Sequence, residues 1–570
     1  MRLQARRLRL LRALFVLVFL SFGAKLFWMQ VVQGADVAAQ VVEDNMVSIA
    51  IAAPRGEIQD VNGLTLASTI DARDIVSDQT MIRDPRITAE RLAPVLGADP
   101  VALADHLTGT KRFVYIAKEV SPQDAKRISD LNIAGVYIRS SSRRVYPQGE
   151  LAANILGFVN SSGSGAGGVE HSFDSQLTGT PGHVEYMQAG GKTLIPTGEQ
   201  RVTEPIAGST VRLTIDRDVQ WIAQRAIAER VAYARAASGT VVVLDTTNGH
   251  IVAMATAPTF DPNHYGDAEP ADRGNRAVSD VYEPGSTAKV MTMSAVIEEG
   301  AAQPESRFSV PWKLRWKQVA TFHDHESHPT EKLTLTGILA KSSNVGTIKA
   351  ATRLGDTKLY DYLTRFGIGS STRSGLAGES SGLLPSLDDW STTTFPTLAF
   401  GQGMSVSALQ VAQVFATIAN DGVRITPTIV AGLIGPDGKF VGSAAQQTVR
   451  VVSVETARKV RSMMETVVSD EGTAPGAAIP GYRVAGKTGT AERFDDSCGC
   501  YRGFVASFIG IAPADKPRFV VAVALTDPRN GRFGSLLGGP VFKEVMTYVL
   551  QKWRVAPSGA KAPALPTTWK

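Results

Sequence analysis

The stretch that most limits this chain is a backbone break followed by a buried helix. Pro284 and Gly285 interrupt the chain, and residues 287–299 then carry Val290, Met291, Met293, Ala295, Val296 and Ile297, with Gly300 beyond them. That pattern reads as a buried helix with Ser286 in its first turn and Gly300 just past its end. The 570 residues are enough for several domains with large cores. Residues three apart on a helix are neighbours, so Lys289 lies beside Ser286. A serine next to a lysine at a helix N-terminus is a nucleophile with a base, in a field that favours a nearby anion.

A Ser-x-x-Lys tetrad alone is an ordinary helix start, and it recurs at residues 558–561 in a Pro- and Ala-rich tail. Two downstream motifs change its meaning: Ser342-Ser343-Asn344 and Lys487-Thr488-Gly489-Thr490. In this order the trio resembles the set shared by penicillin-binding proteins and class A β-lactamases.

Arg2, Arg6, Arg7, Arg9 and Arg12 precede an apolar run. Residues 13–32 come close to the ~20 that a bilayer requires. No Ala-x-Ala site follows, so an uncleaved anchor is expected rather than a signal peptide. The arginines would hold residues 1–12 in the cytoplasm and export the rest. The net charge of +5 is small for this length, and no long basic run points to nucleic acid.

Residues 36–207 are mixed and carry no catalytic set. Three clusters stand out: Arg55-Gly56-Glu57, Arg143-Arg144-Val145-Tyr146 and Gly168-Val169-Glu170-His171. Without a nucleophile or base beside them, structural ion pairs are their expected role. Residues 208–555 form a second exported domain. A hairpin around Asn248-Gly249, several helices, strands over 482–491, 504–512 and 519–526, and a last helix over 541–553 predict an α+β domain. Its antiparallel sheet is flanked by helices. Residues 556–570 are expected to be disordered.

The three early clusters resemble the motifs of the pedestal, or dimerisation-type, domain of class B penicillin-binding proteins. The later trio resembles their transpeptidase domain, and the likeness runs from the anchor to about residue 550. It implies a peptidoglycan D,D-transpeptidase. Ser286 would be acylated by a stem peptide ending in D-Ala-D-Ala, with Lys289 as base and Ser342 relaying a proton. Asn344 would hold the substrate amide. Lys487, Thr488 and Thr490 would hold its terminal carboxylate, with Gly489 leaving the strand unobstructed. Backbone N–H groups of Ser286 and Thr490 would form the oxyanion hole. An amine of a neighbouring stem then completes the crosslink, and β-lactams acylate the same serine. Arg55, Gly56, Glu57, Arg143 and Glu170 would be structural pedestal residues. No cofactor is implied.

Rival readings are a carboxypeptidase or β-lactamase, an elongation-type transpeptidase, and a β-lactam sensor without turnover. The Glu-x-x-Leu-Asn element of class A β-lactamases is missing. A sensor would be expected to carry several membrane spans or a cytoplasmic effector. Ser342-x-Asn344 in place of Ser-x-Asp, Gly382-Leu383-Leu384-Pro385-Ser386 with Trp390, and Thr526-Asp527-Pro528 look like the division type. That type implies a single-pass protein of the cytoplasmic membrane. Its partners would be a polytopic glycosyltransferase of the shape, elongation, division and sporulation family and other division proteins.

Two further clusters invite other chemistry. His323, His325 and His328 resemble zinc ligands in spacing, but no helix places them on one face, so a polar loop near the cleft is expected instead. Cys498 and Cys500, the only cysteines, could close a tight disulfide across Gly499 in an oxidising compartment, or remain free thiols.

Overall fold

The computed structural model describes residues 2–34, 46–189, 193–194, 200–495 and 498–570. It forms two compact units, one of Met1–Pro54 with Gly179–Ala207 and one of Arg55–Thr178 with Gly208–Lys570. In the first unit, helix α1 (Arg2–Phe27) runs on into a π-helical turn, Trp28–Val32. Among the described residues, Gln4–Val32 is the one helical stretch long and apolar enough to cross a membrane. Leu14, Phe15, Leu17, Phe19 and Leu20 on it are all exposed. An uncovered apolar surface of that length suits a lipid environment. The same unit contains strand Met46–Ile51 paired antiparallel with Gly182–Ala189, which also pairs with Gln200–Thr203.

The second unit opens with β1 (Ile58–Gln59), β2 (Thr65–Ser77), β3 (Val114–Val120) and β4 (Val136–Val145). β2 pairs antiparallel with both β3 and β4. β1 pairs with β2 and runs parallel to Thr210–Leu213, which in turn pairs with Val430–Ile434. The first unit ends at Ala207, where a boundary was expected, but residues 55–178 pack with the part of the chain from Gly208 onward. One sheet joins them, and Ile58, Leu66, Val211 and Leu213 belong to the same buried core as the late strands.

Glu170 anchors this region. It is fully buried and accepts from Arg55 Nε and Arg144 Nε, each at 2.7 Å, and from the Tyr146 hydroxyl at 3.2 Å. Arg143, expected to be a structural pedestal residue, is exposed, and its neighbour Arg144 makes the buried pair. Successive side chains on β4 point to opposite faces, so a one-residue misassignment exchanges a buried ion pair for solvent. Gly56 is sterically required, since a Cβ there would sit 2.1 Å from the Ser209 carbonyl oxygen. Glu57 accepts from the Gln59 amide at 2.9 Å and braces β1 locally.

The elements of this unit that build the site and its sheet include, in chain order, α2 (Arg217–Ala234), β5 (Ser238–Asp245), β6 (Ile251–Ala257), α3 (Lys289–Glu298), α4 (Leu335–Ala340) and α5 (Asn344–Thr352). Then come α6 (Ala408–Ala419), α7 (Val454–Val467), β7 (Ala485–Asp495), β8 (Cys500–Ala512), β9 (Phe519–Thr526) and α8 (Gly534–Lys552). The five strands form one antiparallel sheet in the order β6–β5–β9–β8–β7. β5 and β6 are buried along their whole length, so both faces of the sheet are covered. Helices α2, α6 and α8 pack against it.

Two expectations need correction. The last helix starts seven residues earlier than predicted, at Gly534 rather than 541. Gly538, Gly539 and Pro540 read as a breaker. In the fold a Cβ at Gly538 would sit 2.9 Å from Phe508, so glycine is what lets the helix lie on the sheet. The tail expected to be disordered is anchored at its far end: Thr568 bridges to Leu333, Thr567 is buried, and Leu565 lies against the core. A Pro- and Ala-rich composition hides the anchoring that a few larger side chains supply.

Candidate active site

The Pro-Gly break becomes a 3-10 turn, Gly285–Ala288, that feeds directly into α3. Gly285 has φ +52°, and its N–H donates to the Gly401 carbonyl at 2.9 Å. A Cβ on Gly401 would fall 2.0 Å from the Gly285 oxygen, so the loop before α6 can close on the nucleophile turn only as glycine. Residues Lys289 through Ile297 are all buried, as the apolar pattern required. Ser286 is half-buried and lines a cleft of about 600 Å³ together with Ser342, Asn344, Thr488 and Thr490. Lys289 and Lys487 are fully buried.

The second motif is built by a strained turn. Ser342 adopts φ +60°, the left-handed region rarely used by serine, between α4 and α5. Ser343 caps α5, its Oγ accepting from Gly346 N–H at 2.8 Å and donating to Asp324 at 2.7 Å. Asp324 also accepts from the Val345 N–H at 2.9 Å. A carboxylate at a helix N-terminus is favoured by the unpaired N–H groups and the helix dipole. Asp324 thus locks the Ser342–Asn344 turn. It was missed in the sequence, where it stood inside the histidine cluster as one polar loop residue among several. The three imidazoles diverge: His323 packs by Trp312, His325 by Phe533, and His328 turns to Asp324.

Both lysines converge on this turn. Lys289 Nζ donates to the Ser342 carbonyl at 2.5 Å and to Asn344 Oδ1 at 2.7 Å, with Ser342 Oγ at 3.4 Å. Lys487 Nζ donates to Ser342 Oγ at 2.9 Å and to the Thr488 carbonyl at 3.1 Å. Burial lowers the Lys289 pKa to about 7, although the Asp324 charge pulls it upward. Burial, reinforced by the charge of Lys289, pushes Lys487 well below the ordinary lysine range. A neutral amine has two hydrogens and one lone pair. The Ser342 carbonyl and Asn344 amide oxygens take both hydrogens of Lys289, leaving its lone pair to accept a proton.

β7 is an edge strand of the five-stranded sheet, so its outer side is available to pair with an extended peptide. Thr488 and Thr490 line the cleft, and Lys487 on the alternate face turns inward to Ser342. Gly489 was expected to leave room for substrate. Its reason is different: a Cβ there would meet Ser507 Oγ at 2.3 Å and Thr287 at 3.0 Å, inside the protein. Thr473, which no motif flagged, also lines the cleft, with its hydroxyl 2.9 Å from that of Thr488. Beyond β7, Cys498 and Cys500 are joined in a disulfide, the alternative that an oxidising compartment favours.

The comparisons with known proteins agree with this geometry. The penicillin binding protein transpeptidase domain family matches residues 239–547, and the penicillin-binding protein dimerisation domain family matches residues 50–213. The chain is 38% identical to penicillin-binding protein PbpB of Mycolicibacterium smegmatis, over 96% of this chain and 90% of the relative. It is 33% identical to peptidoglycan D,D-transpeptidase FtsI of Escherichia coli K12, over 95% of this chain and 91% of that one. Among solved structures, penicillin binding protein 3 of Mycobacterium tuberculosis complexed with ampicillin is similar with a TM-score of 0.73 at 33% identity. The match covers 92% of this chain and all of that one.

Proposed function

This chain belongs to the penicillin-binding protein transpeptidases, and on that footing we propose that it crosslinks peptidoglycan stem peptides at the division septum through an acyl-enzyme on Ser286. The observation that carries the reading is the convergence of two buried lysines on Ser342 beside a cleft lined by Ser286. Neutral Lys289 takes the Ser286 proton as Oγ attacks the carbonyl of the penultimate D-alanine. The oxyanion is held by the backbone N–H groups of Ser286 and Thr490, each such donor contributing roughly 3 kcal/mol. Collapse breaks the peptide bond, and the departing D-alanine amine receives its proton through Ser342. Asn344 holds the substrate's amide. Thr488 and Thr490, with Lys487 behind them, hold the terminal carboxylate. A carboxylate seated there favours a proton on Lys487, and that charge keeps Lys289 neutral, coupling substrate binding to base activation.

An amine from a second stem then attacks the acyl-enzyme and restores Ser286. In this reading the anchor at residues 13–32 holds the enzyme in the cytoplasmic membrane, N-terminus inside, beside a polytopic glycosyltransferase and other division proteins; the apolar helix Gln4–Val32 supports the anchor. The names of the relatives support the septal assignment, as does Ser-x-Asn at the second motif. The test is intact-mass measurement after incubation with a penicillin. The wild-type protein gains one adduct, lost in Ser286→Ala without change in thermal unfolding. Labelling that survives Ser286→Ala refutes the nucleophile. Depletion in cells should give filaments or unseparated chains, and rounded cells with normal septa would refute the division role.

A further inference from the structure

Residues 563–569 run as a strap between the two walls of the cleft. On one side the strap is bolted to the segment that leads into the second motif. Thr334 donates from its N–H to the Thr567 carbonyl at 3.0 Å and from Oγ1 to the Pro566 carbonyl at 2.5 Å. A Cβ on Gly337 in α4 would sit 1.8 Å from the Thr567 oxygen, so this helix accepts the strap only as glycine. Trp569 donates from its indole to the Phe308 carbonyl at 3.2 Å, and its ring lies under the cations of Arg307 and Lys332. On the other side, the Thr567 hydroxyl donates to Glu471 Oε2 at 2.7 Å. Glu471 and Thr473 both line the cleft, and the Thr473 hydroxyl touches that of Thr488.

A carboxylate in this place matters because the substrate ends in one. A free Glu471 can accept from the Thr473 hydroxyl, which must donate to Thr488 if the Thr488 hydrogen is to reach the substrate. It also repels the substrate's own negative charge. We propose that Thr567 is a positioning residue for carboxylate recognition: its hydroxyl tethers Glu471 to the strap and so keeps a competing negative charge away from Thr488. The inference rests on the reading of Thr488 as part of the carboxylate site.

The test compares the second-order acylation constants for benzylpenicillin and for its methyl ester, whose ratio reports carboxylate recognition alone. Thr567→Val is expected to lower that ratio roughly tenfold, the effect of one like charge at close range under partial screening. The ester constant should stay near wild type. Thr567→Ser keeps the hydroxyl and the ratio. Adding Glu471→Gln to Thr567→Val removes the charge and restores the ratio, which repair of a merely packing defect would not do. Trp569→Ala loosens the strap by a second route, with the same loss and the same rescue, should Thr567→Val fail to fold. An unrescued loss overturns the proposal, as does an unchanged ratio in both strap variants while Thr488→Ala lowers it. If Thr488→Ala leaves the ratio unchanged, the carboxylate reading itself fails and takes this proposal with it.

Discussion

Lowering the pH from 8 to 5 tests how Lys289 is held. Its pKa falls from 10.5 to about 7 because the fold buries it completely. At pH 7 an ordinary lysine is neutral to about 0.03%, whereas Lys289 is about half neutral, a gain of about a thousandfold in usable base. The neutral fraction is about 90% at pH 8 and about 1% at pH 5, so acylation by a β-lactam should fall by close to two powers of ten across that range. Stopped-flow acylation with a chromogenic cephalosporin, fitted against pH, should give a slope of one below about 7 and a plateau above it. Lys289→Arg, whose guanidinium stays charged, should be slow at every pH and show no limb. A flat wild-type profile, or a limb that survives in Lys289→Arg, refutes Lys289 as the base. The same shift is a folding cost. Folded Lys289 is neutral above about pH 7, while the unfolded chain stays protonated up to 10.5, so stability is gained as pH rises through that window. The drop from 10.5 to about 7 corresponds to a cost on the order of 5 kcal/mol, carried in full below pH 7 and relieved toward 10.5.

Arg144→Ala should cost roughly 3–5 kcal/mol in denaturant unfolding because Glu170 is left buried with half its ion pairing. Arg143→Ala, on the exposed face of the same strand, should change stability by less than ~0.5 kcal/mol, and equal effects would refute the strand register. Asp324→Ala should slow acylation roughly 10- to 100-fold by loosening the Ser342 turn. It should also move the acid limb to lower pH, because the charge that raises the Lys289 pKa is gone. An upward move would show that Asp324 does not face that lysine.

The tetrad at Ser286, the Ser-x-Asn turn and the Lys-Thr-Gly strand were legible because each is a local pattern whose chemistry depends on residues close in the chain. The enclosed helix α3 was legible for the same reason: a segment with Val290, Met291, Met293, Ala295, Val296 and Ile297 spread around it has only one place to go. The alternation of β-rich runs likewise announced the late strands of an α+β domain. Contacts between distant segments were decided by the tertiary structure. Periodicity could not say whether Arg143 or Arg144 faces Glu170, because one residue of register separates a buried ion pair from solvent. Local pattern could not lift Asp324 out of a histidine-rich loop, since its partners, Ser343 and Val345, lie about twenty residues away. Nor could composition show that Thr567 reaches Glu471, 96 residues earlier. Above all, the sequence placed two lysines in motifs, but only their shared burial against one serine hydroxyl lowers their hold on a proton. A lysine's pKa depends on the medium around it, and that medium is assembled from the whole chain.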